Sequence, residues 1–296
     1  METLSITMIC KDEESCIERC LESIKEADEI ILVDTGSTDK TLEIASKYSN
    51  VKIFSGSDFT WRDDFAFSRN QSLERCTGTW CYVIDCDEYL EPDGIAKIKK
   101  EIAKAGDKLG FLVSCYDDGS NDHFSHYSVR LFKNYKEIKW HGAIHNYLSY
   151  TTEDKIPIKH YIGYSAAHAK DPGRALRILQ KVCKENPTLT REFYYLAREY
   201  WYRNDYKLAI YYWEDYLKRS TFMPEIVDAY MMLAYCYRNT GDMSKAREMC
   251  LKCIDYNTNF KEALNFMVDV TGPGNSKRWK EWAKTANNDG LLFVRT

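Results

Sequence analysis

The chain has no apolar stretch near the run of about 20 residues that a membrane-spanning helix needs, which excludes a bilayer-crossing helix. Its start, Met1-Glu2-Thr3-Leu4, lacks the basic residues ahead of an apolar core that mark a secretory signal. No cluster of Lys and Arg and no nucleic-acid motif stands out, and the formal charge is −4, so nucleic acid is not an expected partner. A basic amphipathic helix is also missing, which argues against a peripheral membrane contact. The eleven cysteines lack the setting of a disulfide framework. They are scattered through apolar periodic segments of a chain without a signal, and this predicts buried free thiols and a cytoplasmic protein. Cys250-x-x-Cys253 lies in a helical pattern with no second pair nearby and reads as core thiols, because zinc needs four ligands.

What is present is ordinary in bulk and uneven in detail. A chain of 296 residues with 44% apolar and 29% charged residues fits one large or two medium globular domains. Residues 1–165 carry 20 Lys and Arg against 29 Asp and Glu, net −9, whereas residues 166–296 carry 21 against 16, net +5. The acidic first half needs a cation or a few placed basic groups to bind an anion.

The first half alternates strand and helix patterns. Leu4–Cys10, Glu29–Val33, Val51–Phe54, Trp80–Ile84 and Phe111–Cys115 read as strands. Ile17, Cys20, Leu21 and Ile24 share a helical face, and a further helix is expected over Phe65–Leu73. This order predicts a largely parallel sheet covered on both faces, with ligands at the carboxyl ends of the strands. Lys11–Glu14, Asp34–Asp39 and Asp85–Glu88 all fall at such ends. In Asp85-Cys86-Asp87, alternation at the strand end would point both carboxylates one way, a pair suited to a hard divalent cation that also holds a diphosphate. Taken singly, the Asp34–Asp39 loop is also what a turn with a helix cap requires.

From Pro172 the pattern is helical. Ala175, Ala209 and Ala246 are spaced 34 and 37 apart, and Leu179, Trp213 and Cys250 repeat the offsets. Asn204-Asp205 and Gly241-Asp242 mark turns between them. A period near ~34 residues is that of tetratricopeptide repeats, here two full helix pairs, a partial first one and a capping helix around Lys277–Trp282. The aromatic stripe from Phe193 to Tyr216 reads first as repeat core, and second as a groove for an extended peptide.

Several segments together resemble the inverting family-two glycosyltransferases of GT-A fold. They are Ile6–Glu13, Asp34–Thr41, Trp61–Asn70, Asp85–Glu88, Arg130–Asn134, Trp140–His145 and His160–Tyr164. The resembling branch carries tetratricopeptide-like helices and includes the sublancin-type bacteriocin enzymes, which modify a peptide side chain. The resemblance implies an α/β GT-A domain with a Rossmann-like mixed sheet over residues 1–168, then an all-α tetratricopeptide-like domain over 169–296. It implies a nucleotide-diphospho sugar donor, a UDP-sugar by preference, and a peptide or protein acceptor. A cell-envelope saccharide or lipid-linked acceptor is the rival enzyme reading, and a repeat scaffold on a degenerate domain is the non-catalytic one. A homo-oligomer is compatible with the chain.

By the same resemblance, Glu13, Asp34 and Asp39 would line the nucleotide, and Arg69 and Asn70 the diphosphate or sugar. Asp85 and Asp87 would hold Mn²⁺ or Mg²⁺, with His145 and His160 as candidate further ligands. Many relatives place Glu where this chain has Asn146, and Asn does not accept a proton at neutral pH. The general base then falls to Asp117, Asp118 or Glu88. A cysteine acceptor would ask less of it.

Overall fold

The computed structural model describes residues 2–118, 123–163 and 171–287. The chain divides into two compact units, Met1–Gly173 and Arg174–Thr296. The expected boundary between residues 168 and 169 and the motif residue Tyr164 lie outside the described residues.

The first unit runs β1 (Leu4–Cys10), α1 (Ile17–Ile24), β2 (Glu29–Asp34), α2 (Thr41–Ala45), β3 (Val51–Phe54), α3 (Phe65–Leu73), β4 (Trp80–Val83), β5 (Tyr89–Leu90), α4 (Gly94–Ile102), β6 (Gly110–Asp117), β7 (Phe124–Lys133), β8 (Trp140–His141), β9 (Tyr147–Leu148) and β10 (Lys155–Ile162). Eight strands form one sheet in the order β3-β2-β1-β4-β7-β6-β10-β5. The sheet is mixed where a largely parallel one is expected. β7 enters between β4 and β6 antiparallel to both, and β5 closes the edge antiparallel to β10. Because β4 and β6 both oppose β7, they run the same way. The carboxyl ends of β1, β2, β4, β6 and β10 therefore share one edge.

Every residue of β1 and β2 is buried because both sheet faces are covered, and the strands are apolar apart from Ser5 and Thr7 in β1 and Glu29 and Asp34 at the two ends of β2. Leu4, Ile6, Met8, Trp80 and Tyr82 pack under α1 and α4 through Ile17, Leu21, Ile24, Ile95 and Ile98. Cys81, Val83 and Phe132 point to the other face, against Leu73 of α3 and Ile138 and Leu148.

The second unit is helical: α5 (Arg174–Glu185), α6 (Arg191–Tyr202), α7 (Tyr206–Leu217), α8 (Met223–Asn239), α9 (Met243–Tyr256), α10 (Lys261–Val270) and α11 (Pro273–Thr285). α6 packs on α7, α8 on α9 and α10 on α11, so among the described residues there are three helix pairs after the single α5. The expected capping helix is thus the second member of a pair whose first member is α10. The two marked turns are built alike. Asn204 and Gly241 take left-handed φ of 58° and 87°, and Asp205 and Asp242 then cap α7 and α9 by accepting from Leu208 N and Lys245 N. Most of the aromatic stripe is core: Phe193, Tyr194, Tyr195, Tyr200, Trp213 and Tyr216 are buried, and Tyr202 and Tyr211 are exposed. All eleven cysteines are free, and only Cys16 is not buried.

Candidate active site

The loops after β1 and β2 are laced together at the carboxyl edge. Asp12, at a left-handed φ of 55°, accepts from Thr38 N at 2.8 Å, and its own N–H donates to Ser37 Oγ at 3.1 Å. Glu13 N donates to Thr41 Oγ1 at 2.7 Å. Lys40 N donates to the Glu14 carboxylate at 3.0 Å. Asp34 ends β2, buried, and accepts from Ser37 N at 2.9 Å. Asp39 accepts from Thr41 N at 2.9 Å through one oxygen and from Glu14 N at 3.2 Å through the other.

β4 ends at Val83, so Asp85-Cys86-Asp87 sits on a turn and not on a strand. Strand alternation, expected to orient the two carboxylates, does not operate there. Glu88 shapes the turn instead: its Oε2 accepts from Asp85 N at 2.8 Å, and its N–H donates to Asp85 O at 3.1 Å. Cys86 is buried, with Sγ 3.4 Å from Ile9 O. Asp87 is 7% exposed. Behind it Gly163 leaves no room for a side chain, because a Cβ there would stand 1.8 Å from Asp87 O. Arg69, on α3, brings Nη2 to 2.8 and 3.0 Å of the two Asp85 oxygens and lies over the Trp140 ring at 5.1 Å.

Glu88 faces inward. Arg130 Nη1 and Nη2 each donate to one of its oxygens at 2.9 Å. His160 Nε2 lies 3.0 Å from Oε2, off the line of an ideal hydrogen bond, and its Nδ1 pairs with Tyr82 OH at 2.9 Å. Burial works to raise the Glu88 pKa, but Arg130 and then His160 outweigh it and hold the carboxyl well below the usual range. Burial pushes the His160 pKa down, against the opposing pull of Glu88.

The β8–β9 hairpin carries His145. Asn70 clamps it to α3: Nδ2 donates to Trp140 O at 2.9 Å and Oδ1 accepts from Trp140 N at 2.8 Å. Phe65 N donates to Ala143 O at 3.0 Å. His145 itself is exposed, with a left-handed φ of 50°. Across the sheet edge, Asp118 is held by Arg19 at 2.8 Å and by Tyr89 OH at 2.9 Å. Asp117 ends β6 half exposed, 3.2 Å from His123 Nδ1.

Residues 5–171 match glycosyl transferase family 2. The chain belongs to this family. Residues 194–254 match a tetratricopeptide repeat. The chain is 27% identical over 232 residues to the SPbeta prophage-derived glycosyltransferase SunS of Bacillus subtilis, a match covering 74% of this chain and 53% of SunS. It is 33% identical over 111 residues to the lipopolysaccharide core biosynthesis glycosyltransferase LpsC of Rhizobium meliloti, covering 36% of this chain and 39% of LpsC. The chain thus spans about half or less of the length of these curated relatives. Among solved structures, S. aureus TarS 1-349 in complex with UDP-GlcNAc shares the fold, with a TM-score of 0.50 at 14% identity over 83% of this chain and 90% of that one.

In this family-two glycosyltransferase, the one edge gathers Glu13, Asp34, Arg69, Asp85, Asp87 and Asp117 at the ends of β1, β2, β4 and β6 or on the helix beside them. Four expectations change. Asp39 spends both oxygens on its loop, and Asn70 spends its amide on the hairpin backbone. Glu88 is buried, charged and twice bonded to Arg130, so it cannot serve as the base. His160 is fully buried, with Nδ1 on Tyr82 OH and Nε2 against Glu88, so it faces the core and not the crevice. Arg130 and Gly163 lie inside the resembling segments, but nothing in the sequence assigns them a role. Their partners, Glu88 and Asp87, are far away in sequence, and only the fold joins them.

Proposed function

We propose that the chain is a metal-dependent, inverting hexosyltransferase that moves a sugar from a UDP-sugar to a Ser, Thr or Cys side chain of a peptide or protein. The observation that carries this reading is the single sheet edge where the Asp34 loop, the Arg69–Asp85 pair and buried Asp87 meet. The donor assignment draws on the fold shared with TarS, described with UDP-GlcNAc. The acceptor assignment draws on the resemblance to sublancin-type enzymes and on the helical repeats that follow the catalytic unit in the sequence.

Among the described residues no three His, Cys, Asp or Glu side chains gather closely enough to hold a cation by themselves. Two hard carboxylates with a substrate diphosphate suit Mg²⁺ or Mn²⁺, which commonly rests on one or two carboxylates plus phosphate oxygens. Asp87, with Asp85 beside it, would hold the ion, and exposed His145 is its nearest histidine candidate. When bound, the ion supplies positive charge to the leaving diphosphate. Asp34 and its loop hold the base and ribose. Arg69 offers its guanidinium to phosphate oxygens, exchanging part of its hold on Asp85. Asp117, with His123 beside it, takes the acceptor's proton as the acceptor attacks from the face opposite the leaving group. Asp118 is tied to Arg19 and Tyr89 and has a positioning role.

Eleven free cysteines suit a reducing cytoplasm, and no helix among the described residues is long and apolar enough to cross a membrane. A second reading, transfer to a cell-envelope saccharide, is favoured by the likeness to LpsC. The test is calorimetry of the chain with uridine diphosphate, with and without Mn²⁺, on the wild type and Asp87→Ala. Enhancement by Mn²⁺ that vanishes in the variant is expected. If no nucleoside diphosphate binds better with the ion, the donor reading fails. Mass spectrometry of peptides incubated with UDP-sugars separates the acceptors: a mass gain of one hexose unit supports the peptide, and its absence with transfer to a saccharide supports the rival.

A further inference from the structure

The Arg130–Glu88 pair has no role in the reading above, yet among the described residues it is the most enclosed arginine–carboxylate pair at the site edge. Its geometry begins with an irregularity in the sheet. Across the β6–β7 ladder Phe111 faces Leu131 and Leu112 faces Val129, so Arg130 is an extra residue on β7, a β-bulge. Bulges bend a strand and re-aim a side chain, often beside active sites. Here the guanidinium is aimed along the sheet at the turn after β4, where it meets both oxygens of Glu88 in a two-pronged pairing. The two side chains are 13% and 5% exposed.

Glu88 is the last residue of the D-x-D turn and closes it at both ends, accepting the Asp85 N–H and donating its own to Asp85 O. His160, braced by Tyr82, stands against the same Oε2 from the neighbouring strand β10. Gly163 presses on the outer side at Asp87 O. With no strand pairing to set its course, the turn takes its shape from these contacts.

We propose that Arg130 is a positioning residue for the D-x-D motif: from its bulge it fixes Glu88, Glu88 fixes the Asp85 backbone, and the direction of the Asp87 carboxylate follows. This inference rests on the metal-dependent donor binding proposed above. A fold that needed only stability would gain as much from apolar side chains in the same space, because desolvation offsets much of what a buried ion pair contributes. Placement is different. Groups behind a metal ligand orient it, and removing them commonly weakens metal binding without touching the metal.

The experiment is titration of the full chain with uridine diphosphate, with and without Mn²⁺, for the wild type, Arg130→Lys, Arg130→Met and the double variant Arg130→Met/Glu88→Leu. Each variant's thermal midpoint is recorded alongside. The double variant removes the orphaned buried carboxylate that destabilises the single one. The Mn²⁺ enhancement is expected to fall by about tenfold or more in Arg130→Met and in the double variant, and to survive in part in Arg130→Lys, which keeps one prong. Metal-free binding, which rests on the Asp34 loop, stays close to wild type. A double variant that keeps the full enhancement shows that the pair only fills space, and it overturns the proposal while leaving the donor reading intact. A wild type without enhancement overturns both.

Discussion

Glu29 offers a test of how the catalytic unit is held together away from its site. It opens β2 at the amino edge of the sheet, opposite the edge that carries the D-x-D turn. One carboxylate oxygen accepts from Ser5 Oγ at 2.6 Å and from Thr77 Oγ1 at 2.8 Å, and the other from Lys52 Nζ at 2.6 Å. The single residue therefore ties β1, β2, β3 and the turn before β4. Burial works to raise its pKa, but Lys52, Ser5 and Thr77 outweigh it and bring the value from 4.5 to about 2. A carboxyl lowered that far contributes about 3 kcal/mol at neutral pH, and solvent around the exposed Lys52 ammonium trims this to about 2 kcal/mol. Because the folded pKa is depressed, the contribution is complete above pH 4.5 and is lost as pH falls toward about 2. Glu29→Gln keeps the size but sets an amide N–H against the Lys52 ammonium. Urea unfolding near neutral pH is expected to show a loss of about 2 kcal/mol, and the gap to wild type should close progressively below pH 4.5. Uridine diphosphate binding should not change. A gap that stays constant down the acid limb would refute the ionic account of Glu29.

Two further perturbations address the site. Gly163→Ala puts a methyl where Asp87 O stands 1.8 Å away, so the turn must shift. Overpacking of this kind costs about 1–3 kcal/mol, and Mn²⁺-dependent binding of uridine diphosphate should weaken with it; wild-type values for both would disprove the close approach. Asp117→Asn should leave that binding unchanged and slow transfer by about 10²–10⁴-fold, the usual share of a general base. Equal loss in Asp118→Asn with Asp117→Asn active would exchange the two roles.

The parts of the fold that follow from local physics were legible in the sequence. β1, β3 and α3 have the expected bounds: β1 is a fully buried, largely apolar strand, β3 is a short apolar segment broken only by exposed Lys52, and α3 starts at the Asp64 cap. The two-residue strands β5, β8 and β9 have no period to read. The insertion of antiparallel β7 is a long-range pairing that no local pattern encodes, and α10 lies beyond Cys250, the last repeat position that the spacing marks. That Asp34, Asp85 and Asp87 fall after strands at the carboxyl edge, with Arg69 on a helix, was legible from their segments. The inward turn of Glu88 and His160 was not, because an acidic residue beside a D-x-D and a histidine on a strand look the same in sequence whether they face ligand or core. Arg130 draws Glu88 inward from 42 residues further along the chain.

The lacing of the first two loops has a thermodynamic consequence. A loop that orders only when its ligand arrives charges roughly 1–2 kcal/mol per residue against affinity. Here Asp12, Glu13 and Glu14 are bonded to Ser37, Thr38, Asp39, Lys40 and Thr41 by the chain's own groups, so that ordering belongs to folding. The proposed nucleotide end of the crevice would then be pre-organised, and its selectivity should rest on shape rather than on closure. Thr38 and Thr41, bonded across to Asp12 and to Glu13, would then influence donor affinity through the loop that they hold still.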